Sequence, residues 1–315
     1  MVENKDIKII FMGTSGFALP AFKKLLASKF SIITTFCQSD KKAGRGLKCS
    51  CCPVKESSLK HKIPVFQPKI LKEKKVIDKI RDLRPDLLIV AAYGLLIPQE
   101  ILEIPRKGAI NIHPSLLPSY RGPSPIQTAI LNGEQKTGVS IMLLDQKMDH
   151  GPIISQKEIK IEKKDNQIIL GRKLAALGAK LLLQALPLYI SGKIKPKDQD
   201  HKKASFTKLL EKEAGKINWN KEAIQIERKA RAYLGWPGTY TKWQEKRIII
   251  LESEAIASDR YRDKNGEVFE VDSALHVQCG KNILKIKKLQ LSGKKPVTGA
   301  EFLRGYPAIV DSHLE

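Results

Sequence analysis

The chain predicts an α/β fold in two parts: a mostly parallel sheet with helices on both faces, then a smaller β-barrel. Three observations lead there. Strand-like and helix-like segments alternate through the first half, a polar basic stretch then interrupts them, and short strand-like runs at regular spacing fill the remainder. A length of 315 residues favours two domains over one.

The first strand is expected over Ile7 to Met12, followed by a helix from Phe17 to Ala27 and a strand from Ile32 to Cys37. A helix around Lys72 to Leu83 leads to a strand from Asp86 to Ala92. Strand, crossover helix and strand in that order pair in parallel. The unbroken apolar run from Leu87 to Ala92 suits a central strand buried on both faces. Further strands fit Gly108 to Ile112, Val139 to Leu144 and Ile153 to Ile161, and a long helix fits Asn166 to Ile190. Residues 1–192 are therefore expected to form a Rossmann-like domain. From Ser191 to about Leu210 the chain is basic, contains proline and lacks apolar periodicity, so residues 193–210 read as a basic linker. Residues 211–315 open with a helix over Asn220 to Tyr233. Strands then fit Thr239 to Trp243, Lys246 to Ala257, Glu267 to Val271, Leu275 to Cys279 and Ile283 to Leu289, with a short helix near Thr298 to Leu303 outside the set. Such a series suggests an OB-like barrel.

Composition narrows the function classes. A net charge of +23 favours a polyanionic partner through counterion release, although much of the lysine, as at Lys72 to Lys75, fits solvated helix faces. Five cysteines is an odd number. Cys49, Cys51 and Cys52 are too close together to bridge one another without strain and too poorly spaced for zinc, so free thiols and no metal are expected. The N-terminal apolar stretch is short and ends at Gly13, unlike a signal peptide, and Leu170 to Ile190 carries Arg172, Lys173, Lys180 and Gln184, unlike a membrane span. A soluble cytoplasmic protein without membrane contact follows from that reading, and a monomer is expected.

Candidate chemistry gathers at strand ends, where α/β sheets bind ligands. Asn111 and His113 stand two residues apart on one expected strand, so both face one way while Ile112 packs the other. An amide can donate to a developing oxyanion, and an imidazole can give or take a proton near neutral pH. Asp149, at the end of the next strand, can position the histidine, accept a proton through water or bind substrate; a simple turn before His150-Gly151 is the competing reading. The turn Gly13-Thr-Ser-Gly16 lacks the three-glycine dinucleotide spacing and fits a tight strand-to-helix turn better than a phosphate site. Trp219, Trp236 and Trp243 fit core packing better than base stacking. Lys242, Lys246, Arg247, Lys281, Lys285, Lys287 and Lys288 are placed to track phosphate.

Asn111-Ile-His113 with Ser115-Leu-Leu-Pro118, Tyr120-Arg-Gly122 and Met148-Asp149-His-Gly151 resembles the 10-formyltetrahydrofolate-dependent formyltransferases. Other segments resemble the methionyl-tRNA branch of that superfamily: Phe11-Met-Gly-Thr14, Gln38 to Gly46, Ala91 to Pro98, Ile217-Asn-Trp219 and Arg231 to Gly238. The resemblance runs nearly end to end. It implies that Asn111, His113 and Asp149 are catalytic and that Ser115, Leu116, Leu117 and Pro118 contact the folate. It also implies that 10-formyltetrahydrofolate is the co-substrate, with no metal, and that methionyl initiator tRNA is the acceptor. Arg45 falls on the arginine of a loop that enters the tRNA acceptor end, with Lys41, Lys42 and Lys48 beside it; Lys41-Lys42 and Cys51-Cys52 replace the more usual proline-rich version of that loop. A formyltransferase acting on an amino sugar or a ribonucleotide precursor is one rival, and a nucleic-acid-binding protein without activity is another.

Overall fold

Apolar runs of strand length in the N-terminal half have nowhere to bury themselves except in a shared sheet, and seven of them form one. The computed structural model describes residues 7–43, 48–258 and 262–315. In chain order the elements are β1 (Lys8–Gly13), α1 (Leu19–Leu26), β2 (Ser31–Phe36), a hairpin of β3 (Lys41–Ala43) and β4 (Lys48–Ser50), α2 (Pro53–Lys60) and β5 (Val65–Phe66). Next come α3 (Lys74–Asp82), β6 (Leu87–Ala91), α4 (Gln99–Leu102), β7 (Ala109–His113), α5 (Pro125–Leu131), β8 (Lys136–Leu143), β9 (Ile153–Lys160) and α6 (Gln167–Ile190).

The chain divides into two units, the first comprising Met1–Pro125, Lys136–Lys160 and Gly171–Thr207. Its sheet runs β5-β2-β1-β6-β7-β8-β9. The first five strands of that order are parallel, and β8 and β9 continue it antiparallel. Every residue of β6 is buried, as its unbroken apolar run requires. Helix α6 is long and apolar enough to cross a membrane by length and composition. Here it is a core helix, with Leu174, Ala179, Leu182 and Leu186 buried. Gly178 sets how closely it packs: a Cβ there would lie 2.7 Å from Ile112 Cγ2 on β7 and 3.2 Å from Val139 Cγ1 on β8.

The stretch read as a linker is partly built into this unit. Ile153 and Lys197 exchange two backbone hydrogen bonds of 2.7 and 2.8 Å, and Thr207 donates to the Arg121 carbonyl at 2.7 Å. Main-chain pairing of this kind needs no apolar repeat, which is why hydropathy does not reveal it. Strand β5 and the hairpin, too short to show a period, also escape the sequence reading.

The second unit comprises Ile126–Gln135, Ile161–Leu170 and Lys208–Glu315. It contains α7 (Ala223–Ala232), β10 (Thr239–Trp243), β11 (Lys246–Ile256), β12 (Val268–Val271), β13 (Ala274–Gln278), β14 (Ile283–Leu291), β15 (Val297–Thr298) and α8 (Gly299–Gly305). The strands form a separate antiparallel sheet in the order β10-β11-β14-β13-β12, with β15 on β14. Both helices begin with reciprocal capping boxes, Glu222 with Gln225 and Thr298 with Glu301, which satisfy backbone donors that a helix start leaves open. Trp219 and Trp243 pack in the core with Ile226, Ile250, Val277 and Phe302, whereas Trp236 is 58% exposed. Two of the three tryptophans are thus core residues, and the third has an accessible face.

Gly178→Leu should improve local helix propensity by about 1 kcal/mol yet force the helix off the sheet. A net loss of roughly 2 kcal/mol in the stability of the first unit is expected from such overpacking. Urea unfolding followed by circular dichroism reads it, and an unchanged midpoint would show that the close helix-sheet approach is dispensable.

Candidate active site

Strand β7 sets the site through its period of two. Ile110 and Ile112 are buried in the core, while Asn111 and His113 project from the other face at the carboxyl end. Asp149 lies in the loop between β8 and β9 with φ +48°, a left-handed conformation that turns its carboxylate back toward β7. Asn111 Nδ2 donates to Asp149 Oδ1 at 3.4 Å, and His113 Nδ1 lies 3.5 Å from Asp149 Oδ2. The structure therefore brings the three predicted catalytic residues together. His113 is 4% exposed, and its Nε2 sits 3.0 Å from the Tyr120 carbonyl. That oxygen can only accept, so Nε2 carries a proton and Nδ1 is the nitrogen turned to Asp149.

The carboxylate is held from a second side. Gly122 N donates to Asp149 Oδ2 at 2.8 Å, a charge-assisted bond. Gly122 has φ +112°, and a Cβ there would meet Thr207 Oγ1 at 2.8 Å, so glycine is required on both counts. The backbone of Asp149 is fixed as well. Gln199 Nε2 donates to the carbonyls of Asp149 and Gly151 at 2.9 and 2.7 Å. Gln199 Oε1 in turn accepts from Arg121 Nε and Nη2 at 3.1 and 2.7 Å. Arg121 is 3% exposed and also donates from Nη2 to His201 Nδ1 at 2.8 Å. His201 stacks on His150 at 4.0 Å, and His150 Nδ1 lies 2.6 Å from Asp145 Oδ2. Hydrogen bonding thus runs from the loop after β7 through Arg121 and Gln199 to Asp149.

Arg121 and Gln199 are site residues that the sequence reading missed. Arg121 stands inside the quoted Tyr120-Arg-Gly122 motif, so motif position was an available signal. Gln199 carried none, because it lies among lysines in a stretch without periodicity.

The segment Ser115 to Pro118 is divided in its burial. Ser115 and Leu117 are buried. Ser115 Oγ donates to Ser119 O at 2.6 Å, Ser140 Oγ donates to Ser115 O at 2.6 Å, and Gln156 Nε2 donates to Leu117 O at 2.8 Å. These bonds fix the loop through Ser115 and Leu117, and Leu116 and Pro118 are half-buried. At the turn after β1, Thr14 N donates to Ala92 O and Thr14 Oγ1 to Tyr93 O at 3.3 and 2.9 Å, which ties two strand ends together as a tight turn does. Arg45 lies outside the described residues. Lys41, Lys42 and Lys48 belong to the β3-β4 hairpin, where Lys41 pairs with Ser50, Lys42 with Cys49 and Ala43 with Lys48. Among the described residues no group of three His, Cys, Asp or Glu side chains is placed to hold a metal ion. In the second unit, Lys287 pairs with Glu254 at 2.7 Å, Lys242 with Glu245 at 3.4 Å, and Arg247 covers the Tyr240 ring at 3.5 Å, so part of the basic surface is internally engaged.

An amide, an imidazole and an anchored carboxylate at the strand ends of a Rossmann-like sheet, followed by a separate antiparallel unit, define a two-unit α/β group-transfer enzyme. The chain belongs to the formyl transferase family. The family signature described as formyl transferase covers residues 7–186, and that of the formyl transferase C-terminal domain covers residues 209–307. The methionyl-tRNA formyltransferase of Roseiflexus castenholzii is 40% identical over 302 residues, covering 95% of this chain and 96% of its own. That of Chloroflexus aggregans is 41% identical over 304 residues, with 96% and 98% covered. Among solved structures, HypX from Aquifex aeolicus in complex with tetrahydrofolic acid matches with a TM-score of 0.63 at 18% identity. The match covers 96% of this chain, which spans about half the length of HypX, 48% of it. An N-formyltransferase from Helicobacter canadensis in complex with folinic acid and dTDP-3-aminofucose gives 0.65 at 18% identity, with 89% and 98% covered. These structures share the fold.

Gln199→Leu would leave the buried Arg121 guanidinium short of its main acceptor and two backbone carbonyls without donors. A loss of about 2 kcal/mol or more is expected, read as a lower urea midpoint; an unchanged midpoint would mean that the Arg121 anchor is not structural.

Proposed function

We propose that this chain transfers the formyl group of 10-formyltetrahydrofolate to the α-amine of methionine esterified to initiator tRNA, acting as a cytoplasmic monomer in translation initiation. The observation that carries the reading is the convergence of Asn111, His113 and Asp149 on one strand end, in a chain about 40% identical over nearly its whole length to methionyl-tRNA formyltransferases. The amino-sugar rival shares only the fold, at 18% identity.

The site residues fit a folate-borne formyl group. Asn111 offers an amide donor, and Leu116 and Pro118 offer half-buried apolar surface beside it. When bound, the folate supplies the formyl carbon. Attack by the amine forms the new C–N bond, places negative charge on the formyl oxygen and leaves a surplus proton on nitrogen. Asn111 Nδ2 is the group that meets the oxygen, and removal of one such donor costs about 3 kcal/mol of barrier. Asp149 is the acceptor for the amine proton, directly or through water. His113 has both ring nitrogens directed at protein oxygens. It therefore acts beside Asp149, as the imidazole that bounds the carboxylate at 3.5 Å. The proton returns to the folate nitrogen as its bond to the formyl carbon breaks, so the reaction balances without a metal.

The acceptor end of the tRNA is assigned to Arg45 with Lys41, Lys42 and Lys48, and phosphate attraction to the basic second unit. The arrangement into catalytic residues 1–192, linking residues 193–210 and an OB-like tRNA-binding domain over 211–315 belongs to the same proposal.

One set of variants tests both roles. In a formylation assay, Asn111→Ala, His113→Ala and Asp149→Asn should each lower kcat by on the order of a hundredfold or more while tRNA binding persists. Arg45→Ala should instead weaken tRNA use and make its salt dependence shallower. Near-normal turnover in all three core variants would remove the proposed site.

A further inference from the structure

Gln199 and His201 stand two residues apart, with Asp200 extended between them at φ −74° and ψ 91°, so both side chains can close on one target. That target is Arg121. Its Nη2 carries two hydrogens, and both are taken: Gln199 Oε1 accepts one at 2.7 Å and His201 Nδ1 the other at 2.8 Å. Nε donates to the same Gln199 oxygen at 3.1 Å. A guanidinium can only donate, so Nδ1 of His201 is bare and the ring proton sits on Nε2. Arg121 is buried, so water does not readily replace an acceptor that is lost.

His201 itself is exposed, and an imidazole there turns broadly about its last torsion unless something fixes its plane. His150 supplies that restraint. The two rings lie parallel, with 4.0 Å between centroids and 6° between planes. His150 is held in turn by Asp145, whose Oδ2 lies 2.6 Å from His150 Nδ1. The other oxygen, Asp145 Oδ1, accepts Lys147 N at 2.9 Å, which ties the carboxylate into the turn after β8. The backbone beside His201 is fixed as well, since Asp200 Oδ1 accepts Lys202 N at 3.2 Å. Asp145, His150 and His201 thus form a buttress against one side of the Arg121 guanidinium. Its consequence reaches Asp149 twice: Gly122, next to Arg121, gives the amide on the carboxylate, and Gln199 holds the Asp149 carbonyl.

We propose that His201, with its ring set by His150 and Asp145, is a positioning residue for formyl transfer. By accepting from Arg121 Nη2 it fixes the guanidinium, and through Gly122 and Gln199 it holds the Asp149 carboxylate where the amine proton is taken. Without His201 the guanidinium keeps Gln199 and can tilt about it, and Gln199 tilts with it. A shift of that kind is small, but proton transfer is steep in distance, so it acts on turnover rather than on binding. The effect on turnover rests on the proposed role of Asp149, whereas the clamp on Arg121 does not.

The test compares the full-length protein with His201→Leu, which accepts nothing, and His201→Asn, whose amide oxygen stands near the place of Nδ1 and accepts the same N–H. In a formylation assay, His201→Leu should lower kcat roughly tenfold with KM for methionyl-tRNA unchanged, and His201→Asn should restore most of the loss. His150→Phe, which keeps a flat ring for the stack, should stay close to wild type, while His150→Ala falls with His201→Leu. A raised KM at unchanged kcat would mean that the ring meets tRNA directly, and it overturns the positioning role. Equal loss in the leucine and asparagine variants overturns it too. The clamp has its own readout in the Arg121 Nε–H resonance of proton-nitrogen spectra, identified by its loss in Arg121→Lys. That resonance should shift and exchange faster with water in His201→Leu and stay in place in His201→Asn; no change in His201→Leu overturns the clamp. Absence of formyl transfer in the wild type would count against the proposed function, with the clamp still judged by the spectra.

Discussion

The site depends on one constraint: the Asp149 carboxylate must be held beside Asn111 and His113 although it belongs to a loop. A strand end fixes the amide and imidazole without further help, since their spacing follows from β geometry. A loop carboxylate has no such guarantee. It is fixed here by the Gly122 amide on its side chain and by Gln199 on its backbone. Gln199 is oriented by Arg121, the residue next to Gly122. Side chain and backbone of Asp149 are thus referred to the same short segment after β7.

That arrangement explains why a buried arginine sits so near the proposed chemistry. Arg121 has no carboxylate partner in its hydrogen bonds, which go to the Gln199 amide oxygen and to His201 Nδ1. Such bonds let the guanidinium position Gln199 without neutralising Asp149. Glycine at position 122 is needed for the same purpose, because a side chain there would collide with Thr207 and displace the amide that holds the carboxylate.

Much of this was legible in the sequence, and the parts that were not share a physical cause. The alternation of Ile110, Asn111, Ile112 and His113 announces a strand with one apolar and one polar face, and the structure keeps it. The run Leu87 to Ala91 announces a central strand by the same logic. Gln199 was illegible because its role is a hydrogen bond between residues distant in sequence, and side-chain hydrogen bonds leave no periodicity. Ser115 was legible only as a motif residue: the bond from its hydroxyl to Ser119 O at 2.6 Å, which shapes the loop, leaves no periodicity in the sequence. Helix α2 was missed because only Val54, Ser57 and Ser58 are buried along it, too little apolar surface to mark a face. Its start is marked by Cys52, a residue read from composition only as a free thiol.

The first unit explains how a formyl group can be moved, and the identity of the acceptor is what remains to be measured. The most direct measurement offers the purified protein both methionyl initiator tRNA and a nucleotide-linked amino sugar, with a formyl donor labelled at the formyl carbon, and follows the label through a single turnover. The account predicts label on the α-amine of the methionyl ester, with the sugar unlabelled. Label on the sugar alone would contradict it.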